Sequence, residues 1–167
     1  MNSKNSILIL NLGGTFNKIY DEIKGKLIVA QNNDAILSLL SISKISNIEV
    51  QGMIHKDSLD MDDNDREKIT KYILNSDYNK ILIIHGTDTM DKTALYINNI
   101  ITNKQIVITG AMKPFSINPI EATSNLSMAI GYLKCLNKDG TFISMHGVVL
   151  PYDKITKNRS LGVFECL

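Results

Sequence analysis

Blocks of apolar residues recur along this chain of 167 residues, separated by mixed segments with apolar positions at helical spacing. Short runs of Ile, Leu and Val have the length of buried strands, whereas apolar residues three or four positions apart are typical of amphipathic helices. The pattern predicts strands at 7–12, 48–53, 81–84, 105–109 and 141–150. It predicts helices at 34–45 and 123–136, a helix that follows residue 63 and has apolar residues at 69, 73 and 74, and a helix through 94–100. Because strands and helices alternate, we predict an α/β domain with a mainly parallel sheet covered on both faces.

Two of the predicted strands end in loops that carry threonine. The strand at 7–12 runs into Gly-Gly-Thr-Phe at residues 13–16, and the strand at 81–84 runs into His-Gly-Thr-Asp-Thr at residues 85–89. Glycine permits sharp turns and lets backbone N–H groups approach a ligand, and ligands bind at the carboxyl ends of parallel strands. A Gly-Gly-Thr turn alone is commonly structural, but a second loop with a hydroxyl beside a carboxylate indicates a site suited to amide hydrolysis.

The composition is that of a globular protein, and its balanced charge favours a small molecule as the partner. Hydrophobic residues make up 44% of the chain and charged residues 21%, which excludes the disordered and membrane classes. Lys and Arg number 18 against 17 Asp and Glu, so the charge balance offers no surface for nucleic acid or an anionic membrane. The first apolar run ends at Gly13, too short for a signal peptide, and no run reaches the roughly 18 apolar residues of a membrane span.

The cysteines and histidines are not spaced like a disulfide framework or a metal site. Cys135 is predicted to be buried in a helix and Cys166 lies next to the C-terminus, a usage that fits a reducing cytoplasm. The acidic cluster at 60–65 lacks the glycine and distal glutamate of a calcium-binding loop, so we expect it to begin a helix. His85, at a strand end, is expected to orient its loop by hydrogen bonding. The sequence therefore predicts no metal site.

Five segments, in order along the chain, resemble the L-asparaginase family. Gly13-Gly14-Thr15 is similar to the family's first signature, with Leu12 where a threonine usually stands, and residues 85–89 match its second signature without departure. The other three segments are Asp57-Ser58-Leu59-Asp60-Met61, Gly110-Ala111-Met112-Lys113-Pro114 and Ile155-Thr156-Lys157. The resemblance implies a three-layer, Rossmann-like or flavodoxin-like amidohydrolase domain.

The resemblance also implies a catalytic set. Thr15 would attack the side-chain amide carbon, while Thr87, Asp88 and Lys157 would form an accessory triad in which a desolvated Lys157 accepts a proton. Asp88 could instead hold the ammonium group of the substrate. Residues 17–26 have the length and polarity of the family's mobile lid, in which Tyr20 would contact the nucleophile. Without the resemblance, Lys157 is by default a solvated surface lysine.

The resemblance implies that the partner is a small linear amide, hydrolysed through an acyl-enzyme without a cofactor. If the substrate is L-asparagine, the products are L-aspartate and ammonia. Backbone N–H groups of the two threonine loops would stabilise the oxyanion, a contribution of roughly 2.7–4 kcal/mol per donor in known cases. The residues that the resemblance assigns to substrate binding are Gly14, Asp57, Ser58, Leu59, Gly86, Asp88, Ala111 and Met112.

Two departures from the longer family members bear on the substrate. Those proteins have a C-terminal domain that completes the site of a neighbouring subunit, whereas residues 1–167 are predicted to form one domain without it. Leu59 stands where the longer enzymes often have a glutamine that helps to bind the substrate's amino group. Short members share the Gly-Thr-Phe-x-Lys-x-Tyr-Asp run at residues 14–21. We expect a cytoplasmic homodimer or higher homo-oligomer whose contact shields the site from water.

Two other functions stay open on the sequence. One is a non-catalytic protein that binds an amino acid, against which the intact catalytic set argues. The other is the amidase module of a partner-dependent amidotransferase, for which the neutral charge predicts no direct contact with RNA although a partner could supply it. Asparagine, glutamine and other β-amides are not distinguished by these residues.

Overall fold

Within residues 6–167, the structure, a computed structural model, contains ten strands and four α-helices. The strands are β1 (Ile7–Gly13), β2 (Lys18–Asp21), β3 (Lys26–Val29), β4 (Ile48–Lys56), β5 (Lys80–Ile84), β6 (Gln105–Thr109), β7 (Gly140–Met145), β8 (Val148–Pro151), β9 (Ile155–Asn158) and β10 (Val163–Cys166). The helices are α1 (Asp34–Ser43), α2 (Asp63–Asn75), α3 (Met90–Asn98) and α4 (Pro119–Cys135). Short 3-10 turns cover Thr15–Asn17, Ser58–Asp60 and Tyr152–Lys154.

Six strands form one central sheet in the order β4-β1-β5-β6-β7-β8. The first five are parallel to one another, and β8 pairs antiparallel to β7 at the edge. Numbered among themselves, the parallel strands follow the flavodoxin-like order 2-1-3-4-5. The predicted α/β fold with a mainly parallel sheet is confirmed. The winding reverses between β1 and β5, and sheets of this kind bind ligands in the crevice at that point.

Helices cover both faces of the central sheet, which gives three layers. β1 and β5 read as continuous apolar runs because parallel strands in the middle of such a sheet are buried on both faces. On one face, α2 and α3 contribute to the core Ile69, Ile73, Ala94 and Ile97. On the other face, α1 and α4 contribute Ile36, Leu39, Ala122, Leu126, Ala129 and Leu133. The loops that follow β1 and β5 therefore begin at the ends of buried strands that are packed between two layers of helices.

The local sequence explains where two of the helices begin. The Asp62 carboxylate accepts a hydrogen bond from the Asp65 N–H (2.9 Å) and Asp65 accepts one from the Asp62 N–H (3.2 Å), a capping box that starts α2 as predicted. α4 begins before the predicted residue 123 because Asn118 caps it and Pro119 lies in its first turn. Residues 6–167 contain no group of three or more His, Cys, Asp or Glu that could hold a metal ion. Across the same residues, no helix has the length and apolar character needed to cross a bilayer.

Residues 18–29 fold into a β-hairpin that the sequence analysis did not predict. β2 and β3 pair antiparallel, as a sheet separate from the central one. The Asp21 carboxylate accepts hydrogen bonds from the N–H groups of Ile23 and Lys24, each at 3.0 Å, which closes the turn. Strands of four residues are too short to show a clear hydrophobic period, so the pattern indicated an irregular lid.

The predicted single strand at 141–150 is wrong, because the chain turns within it. β7 ends at Met145, and His146 and Gly147 both have positive φ (51° and 89°) before β8 returns antiparallel. Two successive residues of this conformation form the tight turn of a two-residue hairpin. The hydrophobic pattern continues across the turn and hides it.

Cys135 is exposed rather than buried, which corrects the prediction from the sequence. It is the last residue of α4 and stands two positions beyond the buried Leu133. Residues two apart on a helix do not share a face, so Cys135 faces solvent where Leu133 faces the core. Cys166, on β10, is exposed as well.

Candidate active site

The loops after β1 and β5 are in direct backbone contact. A Cβ atom added to Gly14 would lie 2.3 Å from the backbone nitrogen of Gly86, closer than real side chains approach. Gly14 also has φ 70° and ψ −172°, a conformation that other residues rarely adopt. Both features require glycine at position 14. The close approach of Gly14 to Gly86 brings Thr15 and Thr87, which follow these glycines, to the same edge of the sheet.

Two further loops meet the loop after β5. A Cβ atom on Gly86 would lie 2.6 Å from the Ser58 hydroxyl oxygen, and one on Gly110 would lie 2.4 Å from the His85 carbonyl oxygen. The Thr89 hydroxyl also donates a hydrogen bond to the Ser58 carbonyl (2.8 Å). The structure thus gathers four of the segments that resemble the asparaginase family around one crevice, at the carboxyl ends of the parallel strands.

β4 reaches this crevice through a bulge beyond its predicted end at residue 53. Ile54 and His55 have positive φ (68° and 52°), and the register of β4 against β1 shifts there. Positive φ is strained for a β-branched residue, and bulges often re-aim a strand beside a binding site. After the bulge, the Lys56 carbonyl accepts a hydrogen bond from the Gly14 N–H (2.9 Å). This contact attaches the end of β4 to the first threonine loop.

Lys157 lies between the hydroxyl of Thr87 and the carboxylate of Asp88. Its Nζ atom donates hydrogen bonds to Thr87 Oγ1 and Asp88 Oδ1, each at 2.8 Å. The side chain of Lys157 is 12% exposed and that of Asp88 33% exposed, while Thr87 is buried. Lys157 is therefore not the solvated surface lysine that is the default for this residue type. A lysine in contact with a threonine hydroxyl is suited to proton transfer.

The hairpin of β9 and β10 carries Lys157 to the crevice. These strands form a two-stranded sheet of their own, apart from the central sheet. Ile155, at the start of β9, is buried in the core, and Arg159, just after it, donates a hydrogen bond to the Asp88 carbonyl (2.7 Å). Contacts on both sides of Lys157 thus hold the hairpin, with Ile155 in the core and Arg159 on the loop after β5.

Thr15 begins a 3-10 turn at the same edge and is half-buried. The turn is held by Asn17, whose side-chain amide donates hydrogen bonds to the carbonyl groups of Ala30 and Asn32 (2.9 and 3.0 Å). Tyr20 is 60% exposed on β2, and its hydroxyl lies 4.0 Å from the position of a Cβ atom added to the glycine in the hairpin turn. The Tyr20 hydroxyl therefore lies near the turn of its own hairpin, and it makes no hydrogen bond to Thr15 within the described residues.

Asp57 forms an ion pair with Lys18, a contact that the sequence analysis missed. Lys18 Nζ lies 2.6 Å from Asp57 Oδ2, with both side chains partly buried. Burial acts to raise the pKa of Asp57, but the hydrogen bonds from Lys18 and the Leu59 N–H outweigh burial and hold that pKa below its usual value. The pair joins β2 to the segment after β4. The shared Gly-Thr-Phe-x-Lys-x-Tyr-Asp run contains this lysine, which is the signal that could have found it.

Ser58 is fully buried, and its hydroxyl makes no hydrogen bond within the described part of the chain. Buried polar groups are nearly always paired, so an unpaired hydroxyl beside the two threonine loops is suited to a ligand. The neighbouring Leu59 is 66% exposed, which leaves an apolar side chain at the rim of the crevice.

The loop after β6 is held by Glu121, another residue that sequence reasoning missed. Its carboxylate accepts hydrogen bonds from the N–H groups of Met112 (2.8 Å) and Lys113 (3.2 Å), and its Oε1 atom lies 3.3 Å from His146 Nε2. Ala111, in the same loop, is fully buried. Glu121 lies in the first turn of α4, where acidic residues are common, so its position alone carried no signal.

His85 is fully buried and orients its loop by hydrogen bonding, which confirms the prediction. Its Nδ1 atom lies 2.8 Å from the Gly86 carbonyl oxygen and its Nε2 atom lies 2.8 Å from Thr93 Oγ1. Burial lowers the pKa of His85 to about 4, although the contact with the Gly86 carbonyl acts in the opposite direction. His85 is therefore neutral at physiological pH and is a structural part of the site.

The titration of His85 predicts a loss of stability in mild acid. The unfolded chain takes up a proton on this residue near pH 6.5, whereas the folded chain takes it up only near pH 4. The neutral His85 ring therefore contributes about 3 kcal/mol to the unfolding free energy above pH 6.5. This contribution is lost as the pH falls towards 4. Urea denaturation at pH 7, 5.5 and 4.5 measures it.

The matched control for this prediction is His85→Gln, which cannot titrate in this range. We expect its unfolding free energy to change much less between pH 7 and pH 4.5, because the carboxylates with lowered pKa titrate below that interval. Equal slopes of stability against pH for the wild type and the variant would show that His85 is not the group that titrates.

Comparison with known proteins gives consistent matches. The family model of the asparaginase N-terminal domain matches residues 6–164. The L-asparaginase of Thermococcus kodakarensis is 28% identical over 163 residues, which cover 94% of this chain and 49% of that protein. L-asparaginase 2 of Escherichia coli is 30% identical over 128 residues, which cover 73% of this chain and 36% of that protein.

Solved structures agree with the sequence matches. The thermostable L-asparaginase from Thermococcus kodakarensis superposes with a TM-score of 0.84 at 26% identity, covering 97% of this chain and 51% of that chain. A protein described as a probable cytoplasmic L-asparaginase from Campylobacter jejuni gives a TM-score of 0.83 at 25% identity, covering 98% of this chain and 54% of that chain. The present chain thus spans about half the length of these structures. It also spans half or less of the length of the two sequence relatives.

Proposed function

We propose that this chain, which belongs to the asparaginase family through its N-terminal domain, is an amidohydrolase that converts L-asparagine into L-aspartate and ammonia. The observation that carries the proposal is the contact of the Lys157 ammonium group with both Thr87 and Asp88, at 2.8 Å each, beside the turn that begins with Thr15. A non-catalytic binding protein has no need of a lysine held against a threonine hydroxyl.

In the proposed reaction Thr15 is the nucleophile. A threonine hydroxyl attacks a carbonyl carbon only when a base takes its proton. In its neutral form the Lys157 amine would be that base, acting through the Thr87 hydroxyl that it contacts. Attack of Thr15 Oγ1 forms a C–O bond, and the amide C–N bond then breaks as the nitrogen receives a proton and leaves as ammonia. Water hydrolyses the resulting ester, which releases aspartate and restores the Thr15 hydroxyl. Backbone N–H groups of the two threonine loops would stabilise the oxyanion in both steps.

The substrate would lie across the crevice. We assign to its binding Gly14, Asp57, Ser58, Leu59, Gly86, Asp88, Ala111 and Met112. The unpaired Ser58 hydroxyl supports a contact with the substrate's polar groups, and the partly exposed Asp88 carboxylate can meet an ammonium group. Asp57 would act in binding indirectly, because its ion pair with Lys18 holds the segment that carries Ser58 and Leu59. Tyr20 would contact the Thr15 nucleophile when the turn end of the β2–β3 hairpin bends over the bound substrate.

We further propose that the protein acts as a cytoplasmic homodimer. Thr15 and Asp88 are both partly exposed, and a second copy would exclude water from the reacting amide. Two-fold dimers are the commonest symmetric assembly. The description of the Campylobacter jejuni relative as cytoplasmic supports the location.

Ammonia release from L-asparagine by the purified protein tests the proposed function, with Thr15→Ala and Thr87→Ala measured beside it. Turnover by the wild type and its loss in either variant are expected. Thr102→Ala, at an exposed position, is the control and should retain full activity. A folded wild-type protein that releases no ammonia at millimolar asparagine would contradict the proposal and favour a binding or partner-dependent role. Glutamine in the same assay reports the substrate range.

A further inference from the structure

A buried polar chain runs from α2 to the loop that carries Thr87. Arg66 Nε donates a hydrogen bond to Thr93 Oγ1 (3.2 Å), and that oxygen lies 2.8 Å from His85 Nε2. His85 Nδ1 in turn lies 2.8 Å from the Gly86 carbonyl oxygen. All three side chains are buried. The proposed reaction uses none of the three side chains directly. This series of hydrogen bonds nevertheless ends at the Gly86 carbonyl, in the peptide bond that precedes Thr87.

These contacts determine which ring nitrogen of His85 carries the proton. A carbonyl oxygen can only accept, so Nδ1 must hold the N–H that donates to Gly86. Nε2 is then an acceptor, and the Thr93 hydroxyl donates to it. Arg66 favours this direction, because its Nε–H already donates to the hydroxyl oxygen and its positive charge disfavours an N–H on Nε2.

The position of the Gly86 carbonyl determines where the Thr87 N–H points. Residues 6–167 contain no cis peptide bond, so the Gly86–Thr87 peptide is trans and planar, and its C=O and N–H groups point in opposite directions. With the carbonyl directed at the buried His85 ring, the N–H faces away from that ring. A rotation of the carbonyl would turn the N–H by the same angle.

We propose that Arg66 and Thr93 are positioning residues, which act through the tautomer of His85 to present the Thr87 N–H to the oxyanion of the reacting amide. This inference rests on the proposed amide hydrolysis. An oxyanion donor stabilises the transition state only if it is aligned in advance, and removal of one such donor lowers kcat by roughly 10²–10³-fold in known enzymes. Misalignment of a donor that is still present should lower kcat by less than its removal does.

Two pairs of variants test the proposal by kinetics. Thr93→Val keeps the shape of the side chain without its hydroxyl, and we expect kcat to fall about tenfold with KM changed less than twofold. Thr93→Ser restores the hydroxyl and should recover most of the lost kcat. Arg66→Met should resemble Thr93→Val, whereas Lys71→Met, on the exposed face of the same helix, should match the wild type.

Nitrogen-15 NMR of the histidine rings gives a readout that a merely structural role would not move. The chain has three histidines, and His85→Gln identifies the His85 signals. We expect the wild type to show one neutral tautomer with the proton on Nδ1. Thr93→Val and Arg66→Met should show averaging with the other tautomer, because both remove the preference at Nε2.

A proton on Nε2 in the wild type would overturn the proposal, whether or not the variants fold. So would variants that fold, keep the Nδ1–H tautomer and retain wild-type kcat. If the wild type releases no ammonia, the proposed function fails separately, and the tautomer measurements alone decide whether Arg66 and Thr93 direct the His85 ring.

Discussion

Replacing Lys157 by methionine is expected to lower kcat for asparagine by about 10²–10⁴-fold, the range that general acid–base groups contribute. Methionine fills similar space but cannot donate to Thr87 Oγ1 or Asp88 Oδ1, which the Lys157 ammonium contacts at 2.8 Å each. The Thr87 hydroxyl would lose its route for proton transfer, and the Asp88 carboxylate would lose its cation. Ammonia release under saturating substrate measures the effect, and circular dichroism confirms that the fold is retained.

Lys157→Arg separates the two roles of the lysine. Arginine keeps the positive charge and the hydrogen-bond donors but does not give up its proton in proteins. If Lys157 acts as a base, the arginine variant should be nearly as inactive as the methionine variant. Lys154→Met, an exposed lysine in the preceding turn, serves as the control. A kcat for Lys157→Met within threefold of the wild type would remove Lys157 from the mechanism.

Replacing Gly14 by alanine is expected to be the most disruptive single change at the crevice. The new Cβ atom would lie 2.3 Å from the Gly86 nitrogen, and φ at this position is 70°. Strain at positive φ costs about 1–2 kcal/mol and overpacking a further 1–3 kcal/mol, so the unfolding free energy should fall by about 2–5 kcal/mol. The two threonine loops must also separate, and a displacement of 1 Å can cost about 10²-fold in rate. Urea denaturation and ammonia release measure the two effects.

Gly25→Ala is the matched control, because Gly25 also has positive φ (62°) but lies in an open hairpin turn. The nearest atom to an added Cβ there is the Tyr20 hydroxyl oxygen at 4.0 Å. The unfolding free energy of this variant should fall only by the cost of strain at positive φ, about 1–2 kcal/mol. Similar losses of stability for the two variants would show that backbone contact between the Gly14 and Gly86 loops is not the cause.

The sequence predicted those features of the site that depend on local pattern. The apolar runs before Gly13 and His85 predicted buried parallel strands, and loops at their carboxyl ends must share one edge of the sheet. The contact between these two loops follows from that geometry. Contacts that depend on the distant packing of short segments had no such signal. Lys157 meets Thr87 across 70 residues of chain, and only the resemblance to a family suggested it.

The errors have physical reasons of the same kind. The β2–β3 hairpin and the turn between β7 and β8 are short, and hydrophobic periodicity cannot resolve elements of four residues. Cys135 was predicted to be buried from its residue type, but the face of α4 is set by its larger apolar neighbours. Glu121 and Arg66 are charged residues of helices, a type that is usually solvated, and their roles depend on partners that are distant in sequence.

If Lys157 takes part in the proposed reaction, the separate β9–β10 hairpin makes that reaction dependent on the docking of these two strands. The central sheet and the threonine loops are built from residues that precede Lys157, and a nascent or refolding chain could form them before the hairpin docks. Such an intermediate would hold Thr87 without its lysine and would be unable to cleave an amide. Hydrolysis would then begin only when β9 and β10 have docked, so recovery of activity would report the docking of this hairpin rather than formation of the core.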